Sequence, residues 1–333
     1  MKRREFIAIM GGAAALPLVA SAQQPRKQHR LAFVHSGIPA DKLTKAAGPF
    51  WVRRFYETLE RLGHSEGTNL VVERYSAEGS SDRFAALTAE VVDRKPDVIV
   101  SNLNPLVKIF LATTATIPIV GITSDPIASG LIGSLAHPGG NLTGVSVEAG
   151  TEIIAKRLQI LKEAIPSAAK VAYLLSNSRP DGVGGESYHE AARRLGVALT
   201  ELFLPQVDEA QLRQNFAGMT DQHTDAILLD GSGSFLAFRA LLIELAASSR
   251  IPAIYPYRDY VEQGGLMAFA PDLGELAERM ASDVHQIFDG AKAADIPFYL
   301  PSKFQLIVNL KAAKASGIEL PLALLARADE VIE

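Results

Sequence analysis

The sequence contains no cysteine, and this absence removes three kinds of chemistry at once. A disulfide framework, a cysteine metal site and a cysteine lipid anchor are all excluded. Beyond the N-terminus no hydrophobic run reaches membrane-spanning length. Basic charge is not in excess, because 33 Lys and Arg residues stand against 37 Asp and Glu residues, and no basic stripe with interleaved aromatics occurs. We therefore expect no nucleic-acid partner.

The first 22 residues have the pattern of an export signal. Three basic residues open this segment, residues 7–20 are mostly apolar but too few to span a bilayer comfortably, and Ala20-Ser21-Ala22 resembles a cleavage site. We expect cleavage after Ala22 and a soluble, monomeric mature chain in the periplasm. The Arg3-Arg4 pair fits a twin-arginine signal as well as an ordinary secretory signal, so the export route stays open. An uncleaved membrane anchor is the alternative.

The rest of the chain carries an internal repeat. Arg30–Ser36 is echoed by Lys170–Ser176, and the apolar run that begins at Asp97 is echoed by the run that begins at Asp225. Both halves alternate short apolar runs with helical patterns, which is typical of a parallel sheet covered by helices on both faces. The sequence predicts an α/β fold with two similar, doubly wound parallel-sheet lobes that meet at a cleft for a small ligand.

Breaks in this alternation predict where the chain crosses between the lobes. The segment 131–144 contains the turn His137–Gly140 and is predicted as the first crossing, and residues 264–269 are predicted as the second. After the signal over 1–22, the N-terminal lobe is expected to comprise residues 28–144 and about 271–302. The C-terminal lobe is expected to comprise residues 145–270 and about 303–333.

Polar side chains follow the predicted strands in both halves. In parallel α/β sheets, ligands bind at the carboxyl ends of the strands, where helix N-termini offer free N–H groups. Hydroxyls, amides and N–H groups can hold a carboxylate, and an Asp can hold an ammonium, so these residues suit an amino-acid-like zwitterion. The same residue types are also ordinary turn and cap residues, which is the alternative for any one of them. The candidates are Ser36, Asn102, Thr123 and Asp125 in the first lobe, and Asn177, Asp230, Ser232 and Tyr257 in the second.

These candidates have different expected roles. Asp125 or Asp230 would take the ligand amine. Tyr257 would stack on the body of the ligand. A carboxylate or carbonyl of the ligand would be held by Ser36, Asn102, Thr123 and Ser232.

Motifs for catalysis or a cofactor are weak. Gly63–Gly67 matches G-x-S-x-G, but a predicted helix precedes it and a strand follows, which is the reverse of a nucleophile elbow. Asp230–Ser234 has a lone G-x-G without the rest of a dinucleotide fingerprint. The seven histidines are scattered without a metal-ligand spacing. We therefore expect no catalytic residue, no cofactor and no metal ion.

Several segments together resemble the family of ABC transporter substrate-binding proteins, with a type I periplasmic binding protein fold and with tryptophan- and tyrosine-binding members. The resemblance implies a hinge with several crossings, capture of a solute between the lobes, delivery to an ABC permease in the inner membrane, and no catalysis. The residues alone leave open a ligand sensor for a membrane receptor or a periplasmic α/β enzyme. The matching segments are Glu66–Leu70, Ala77–Gly79, Thr116–Val120, Asp125–Leu131, His137–Gly144, Gly264–Met267 and Leu324–Ile332.

Overall fold

The computed structural model of the protein describes residues 28–148, 152–176, 186–204 and 207–333. The signal predicted over 1–22 and the candidate ligand residue Asn177 lie outside these ranges. Within them, every helix is too short or too polar to cross a bilayer.

The first half of the chain forms a sheet in which all strand pairs are parallel. Its strands are His29–His35 (β1), Leu70–Ser76 (β2), Val98–Asn102 (β3), Ile119–Thr123 (β4) and Leu142–Ser146 (β5). They lie in the order β2-β1-β3-β4-β5. The central strands β1 and β3 are mostly buried because helices cover both faces of the sheet, which explains why they contain short apolar runs.

The second half forms a larger sheet. Its strands are Lys170–Leu175 (β6), Ala198–Phe203 (β7), Ala226–Leu229 (β8), Ala253–Tyr255 (β9), Met267–Pro271 (β10), Phe304–Asn309 (β11) and Glu330–Ile332 (β12). Their order is β12-β11-β10-β9-β8-β6-β7, and only the pairing of β10 with β11 is antiparallel. The predicted α/β class with two parallel-dominated sheets is confirmed.

Helices pack on both faces of each sheet through amphipathic stripes. In the first helix, Val52, Phe55, Tyr56 and Leu59 are buried at helical spacing against the first sheet, where they meet Met280 of a helix from late in the chain. The helices are Phe50–Arg61 (α1), Phe84–Asp93 (α2), Asn104–Thr113 (α3), Glu152–Ala164 (α4), Glu186–Arg194 (α5), Glu209–Asp221 (α6), Gly233–Ala237 (α7), Arg239–Ser249 (α8), Arg258–Glu262 (α9), Leu273–Phe288 (α10), Leu310–Ala315 (α11) and Leu322–Leu325 (α12).

The chain leaves the first sheet later than the sequence predicts. Residues 131–144, predicted as the first crossing, include most of β5. The observed crossing starts only after Ser146. The second half of the crossing predicted over 264–269 similarly lies in β10, and the chain passes to α10 only after Pro271. A third passage precedes β11, where the Ser146 N–H still donates to the Tyr299 carbonyl at 2.8 Å. β5 is not recognisable in the sequence because it contains Gly144, and glycine is uncommon inside strands. Glycine is required at this position, since a Cβ at Gly144 would lie 2.1 Å from the Gly121 carbonyl oxygen.

Candidate functional site

At the carboxyl end of the first sheet, Ser36 and Asn102 are joined by two hydrogen bonds. Ser36 follows β1 and Asn102 ends the neighbouring strand β3. The Ser36 N–H donates to Asn102 Oδ1 at 2.8 Å, and Asn102 Nδ2 donates to Ser36 Oγ at 3.0 Å. The sequence-predicted candidates Ser36 and Asn102 are therefore brought together by the pairing of their strands.

The second sheet repeats this arrangement with a carboxylate. The Ser176 N–H, after β6, donates to Asp230 Oδ2 at 2.9 Å, and the Ser232 N–H donates to Asp230 Oδ1 at 2.9 Å. The Ser232 hydroxyl caps α7 by accepting from the Phe235 N–H at 3.4 Å, and it also accepts a hydrogen bond from the Ser176 hydroxyl. The repeat seen in the sequence thus extends to hydrogen bonds at the strand ends.

Of the remaining first-sheet candidates, Thr123 ends β4 and Asp125 follows it. Thr123 is 1% exposed, and its Oγ1 has no hydrogen-bond partner in the described parts of the chain. A buried hydroxyl without a partner costs about 1–3 kcal/mol, which makes Thr123 a candidate for an external partner. Asp125 has a φ of 36°, and its Oδ1 accepts from the Ala128 N–H at 3.0 Å, so one carboxylate oxygen already stabilises a turn.

Tyr257, which follows β9, is a buried candidate of the second sheet. Its side chain packs in the core of the second lobe and the residue is 9% exposed. The phenol donates a hydrogen bond to the Gly231 carbonyl, which places the ring directly beside the loop that carries Asp230 and Ser232. Burial and the neighbouring Glu148 and Asp230 carboxylates raise the pKa of Tyr257, so the phenol is the neutral donor at physiological pH.

Two charged residues at this site were not among the sequence-predicted candidates. Glu148 follows β5, and its Oε1 lies so close to the second lobe that a Cβ at Gly231 would be 2.2 Å from it. Arg157 on α4 is 1% exposed, and it donates from Nε to the Phe269 carbonyl at 2.9 Å and from Nη2 to the Pro256 carbonyl at 3.3 Å. Burial lowers the pKa of Arg157, and the Glu148 carboxylate is the largest opposing influence.

The segment after β5 connects the two sets of candidates. The Val147 N–H donates to the Thr123 carbonyl at 2.8 Å, and the Val147 side chain packs against the cores of both lobes. The next residue, Glu148, contacts the loop at Gly231. The short, well-packed segment Val147–Glu148 therefore connects Thr123 of the first sheet to the Asp230 loop of the second. Acidic groups from both sides and one buried guanidinium make this region suited to a small ligand that carries opposite charges.

Comparisons with known proteins give a consistent result. A family model described as ABC transporter substrate binding protein matches residues 50–332. A curated tyrosine-binding protein of Clostridioides difficile is 23% identical over 267 residues, covering 80% of this chain and 76% of the relative. A Streptococcus pneumoniae ABC domain solved with L-Trp has a TM-score of 0.78 at 21% identity, covering 92% of this chain and 100% of that one. A conserved domain protein from Vibrio cholerae has a TM-score of 0.77 at 22% identity, with the same coverage.

Proposed function

Because the chain belongs to the family of ABC transporter substrate-binding proteins, we propose that it captures a small amino-acid-like zwitterion between its two lobes and delivers it to an importer. The observation that carries the proposal is the pair of matching strand-end hydrogen bonds, Ser36 to Asn102 in the first sheet and Ser176 to Asp230 in the second. The tyrosine named for the curated relative and the L-Trp bound to the Streptococcus domain support an amino acid as the ligand class.

The proposed binding mode assigns the two ends of the zwitterion to different lobes. The carboxylate is held by Ser36, Asn102 and the unpartnered Thr123 hydroxyl of the first lobe, because hydroxyls and amides donate to carboxylates. The ammonium is held by Asp230, whose two oxygens have lone pairs left after accepting the Ser176 and Ser232 N–H groups. Closure is favoured because only the closed form gives the ligand both sets of contacts.

The other candidate residues have supporting roles in this proposal. Asp125 shapes the turn after β4 and is the alternative partner for the amine. Tyr257 flanks the body of the ligand, and Asn177 and Ser232 complete the second-lobe side. The chain acts as a monomer in the periplasm after export and cleavage behind Ala22, with an ABC permease of the inner membrane as its partner, and it carries out no catalysis.

The first experiment is a thermal-shift and calorimetry screen of the purified chain against amino acids, small carboxylates, amides and nucleosides. A ligand at 100 times its Kd adds about 2.7 kcal/mol of stability, which is several degrees in Tm for a protein of this size. Mass spectrometry of the denatured protein first establishes that no ligand has been retained. A ligand-free, folded chain that no amino acid stabilises would contradict the proposed ligand class.

Asp230→Asn tests the ammonium contact, and the same strand supplies a matched control. Asp225 precedes β8, whereas Asp230 follows it, and Asp225 Oδ2 also accepts two backbone N–H groups, from Ala169 and Lys170, each at 2.8 Å. Asp225→Asn therefore removes the same charge at the opposite end of the strand, and because both N–H groups share Oδ2, the asparagine oxygen can still accept them. We expect Asp230→Asn to weaken binding of the amino acid by about tenfold or more, and Asp225→Asn to leave the affinity unchanged.

A further inference from the structure

A cluster of histidine and carboxylate side chains lies at the amino end of the first sheet, away from the candidate ligand site. His64 stands in the turn after α1, His285 lies in the last turn of α10, and Asp289 caps that helix. Each residue offers one ligand atom, and the three atoms lie within 4.8 Å of one another. His29, the first residue of β1, places its ring edge-on to His64 with the ring centroids 5.5 Å apart.

The three residues differ in how firmly they are held. His64 is 7% exposed and is wedged between His29 and Phe288, so its ring is fixed by packing. The side chains of His285 and Asp289 are 30% and 64% exposed, so they have room to adjust. Their i, i+4 spacing puts them on the same face of α10, towards His64. One rigid ligand and two adjustable ligands can accommodate the geometry that an ion requires.

One contact inside the cluster joins two ring nitrogens, and another joins a ring nitrogen to a carboxylate oxygen. His64 Nε2 and His285 Nδ1 are 2.9 Å apart, and His285 Nε2 is 3.5 Å from Asp289 Oδ2. The second ring nitrogen of His64, Nδ1, is buried and has no hydrogen-bond partner within the described ranges. Two ligand atoms of a tetrahedral zinc ion, with bonds of about 2.0–2.2 Å, lie only slightly farther apart than these two nitrogens.

We propose that His64, His285 and Asp289 bind a divalent transition-metal ion of the zinc type, with water in the fourth position. Two imidazoles and one carboxylate are ligands that zinc accepts readily, and the partial negative charge at the carboxyl end of α10 also favours a cation there. The ion would tie the end of α10 to the turn after α1. Because α10 is the helix that returns from the second sheet, this is a structural cross-link within the first lobe.

This site cannot be recognised in the sequence because its ligand residues are distant in the chain. His64 and His285 are separated by 221 residues, and only the packing of α10 against α1 brings them together. The one local signal is the His285-x-x-x-Asp289 spacing, which occurs by chance in many helices. The prediction of no metal ion rested on sequence spacing alone, and the proposed site departs from it.

The test is calorimetric titration of the untagged, EDTA-treated chain with zinc chloride. We expect one ion per chain, and we expect His285→Gln and His64→Gln each to weaken zinc binding by about tenfold or more. His137 is exposed and lies outside the cluster, so His137→Gln is the matched control and should bind zinc as the unmodified chain does.

If the histidine variants fail to fold, Asp289→Asn still tests the proposal, because Asp289 lies at the surface. It should keep the Tm of the metal-free chain and lose most of the rise in Tm that zinc gives the unmodified chain. The proposal is overturned if the unmodified chain binds zinc no more tightly than His285→Gln and Asp289→Asn do. It is also overturned if His137→Gln loses as much affinity as they do.

Discussion

Ser36 and Asn102 hold each other through two hydrogen bonds, one from backbone to side chain and one from side chain to side chain. The equivalent pair in the second lobe, Ser176 and Asp230, keeps the backbone hydrogen bond but has a carboxylate in place of the amide. The two lobes therefore share a strand-end framework and differ in charge. This difference gives the proposed zwitterion an orientation, with its ammonium towards the second lobe.

Asn102→Ala should lower both stability and ligand affinity. The Ser36 N–H and hydroxyl would lose their partner, and since Ser36 is half-buried, we expect the net loss of a hydrogen bond, about 0.5–1.5 kcal/mol. Asn102→Asp keeps an acceptor for the Ser36 N–H and imitates the Asp230 arrangement, so it should be more stable than Asn102→Ala. Urea unfolding of the three chains gives the comparison. Equal stabilities of the alanine and aspartate variants would show that the hydrogen bond to the Ser36 N–H contributes little.

Gly231→Ala should separate the loop of Asp230 from Glu148. A Cβ at Gly231 would be 2.2 Å from Glu148 Oε1 and 2.9 Å from the Tyr257 hydroxyl, so both side chains would have to move. Overpacking of this kind typically costs about 1–3 kcal/mol, and we expect weaker ligand binding as well. Denaturant unfolding and ligand titration measure the two effects.

The control for this glycine is Gly218, which lies within α6 with nothing within 4 Å of an added Cβ. Gly218→Ala should be neutral or stabilise the protein by about 0.5–1 kcal/mol, because alanine favours a helix. Combining Gly231→Ala with Glu148→Ala should recover part of the lost stability, since the clashing carboxylate is gone. Full additivity of the two changes would argue against the close contact.

Much of the fold follows from hydrophobic periodicity. The echoed segments Arg30–Ser36 and Lys170–Ser176 coincide with β1 and β6, and the apolar run that begins at Asp225 leads into β8. β5 was missed because it contains Gly144, which has a φ of 139° and pairs opposite Gly121. A strand that needs a glycine for close approach to its neighbour looks like a loop in the sequence.

The candidate site was predictable in part, because polar residues at strand ends can be found once the strands are found. Arg157 was missed because charged residues on a helix normally face solvent. One signal was present: Arg157 falls between Ile153, Ile154 and Leu161 at spacings that place it on the buried stripe of α4. Its partners, the Phe269 and Pro256 carbonyls, belong to the second sheet region far along the chain and could not be read from helix periodicity.

Arg157→Met should be strongly destabilising. The change leaves two buried carbonyls without this donor and removes the positive charge that attracts Glu148, and breaking a buried charged network costs about 3–5 kcal/mol. Arg327 is the control because it is exposed and pairs with Glu163 at 2.7 Å on the surface, so Arg327→Met should cost less than about 1 kcal/mol. Unfolding of both variants in guanidinium chloride measures their losses of stability. Similar losses would mean that Arg157 has no special structural role.

His35 makes stability depend on pH at the edge of the candidate site. Its Nδ1 accepts from the Gly37 N–H at 3.0 Å and from the Ile38 N–H at 2.8 Å, which requires the neutral ring. Burial lowers the pKa of His35 to about 3. Between that pH and about 6.5, the unfolded chain binds a proton that the folded chain does not. The contribution of His35 is therefore fully present above pH 6.5 and is lost as the pH falls towards 3.

His35→Asn tests this contribution, because an asparagine oxygen can accept the same N–H groups but does not titrate. We expect the unmodified chain to be the more stable at pH 7.5, and its advantage over His35→Asn to shrink by about 1–3 kcal/mol at pH 4.5. Trp51, the one tryptophan of the chain, has its ring centroid 6.0 Å from that of His35, so its fluorescence follows unfolding at this position. The exposed His137 is the control, and His137→Asn should keep the same stability difference from the unmodified chain at both pH values. If the stability advantage over His35→Asn does not change with pH, the folded chain takes up the proton as readily as the unfolded chain does. That result would contradict a buried neutral ring.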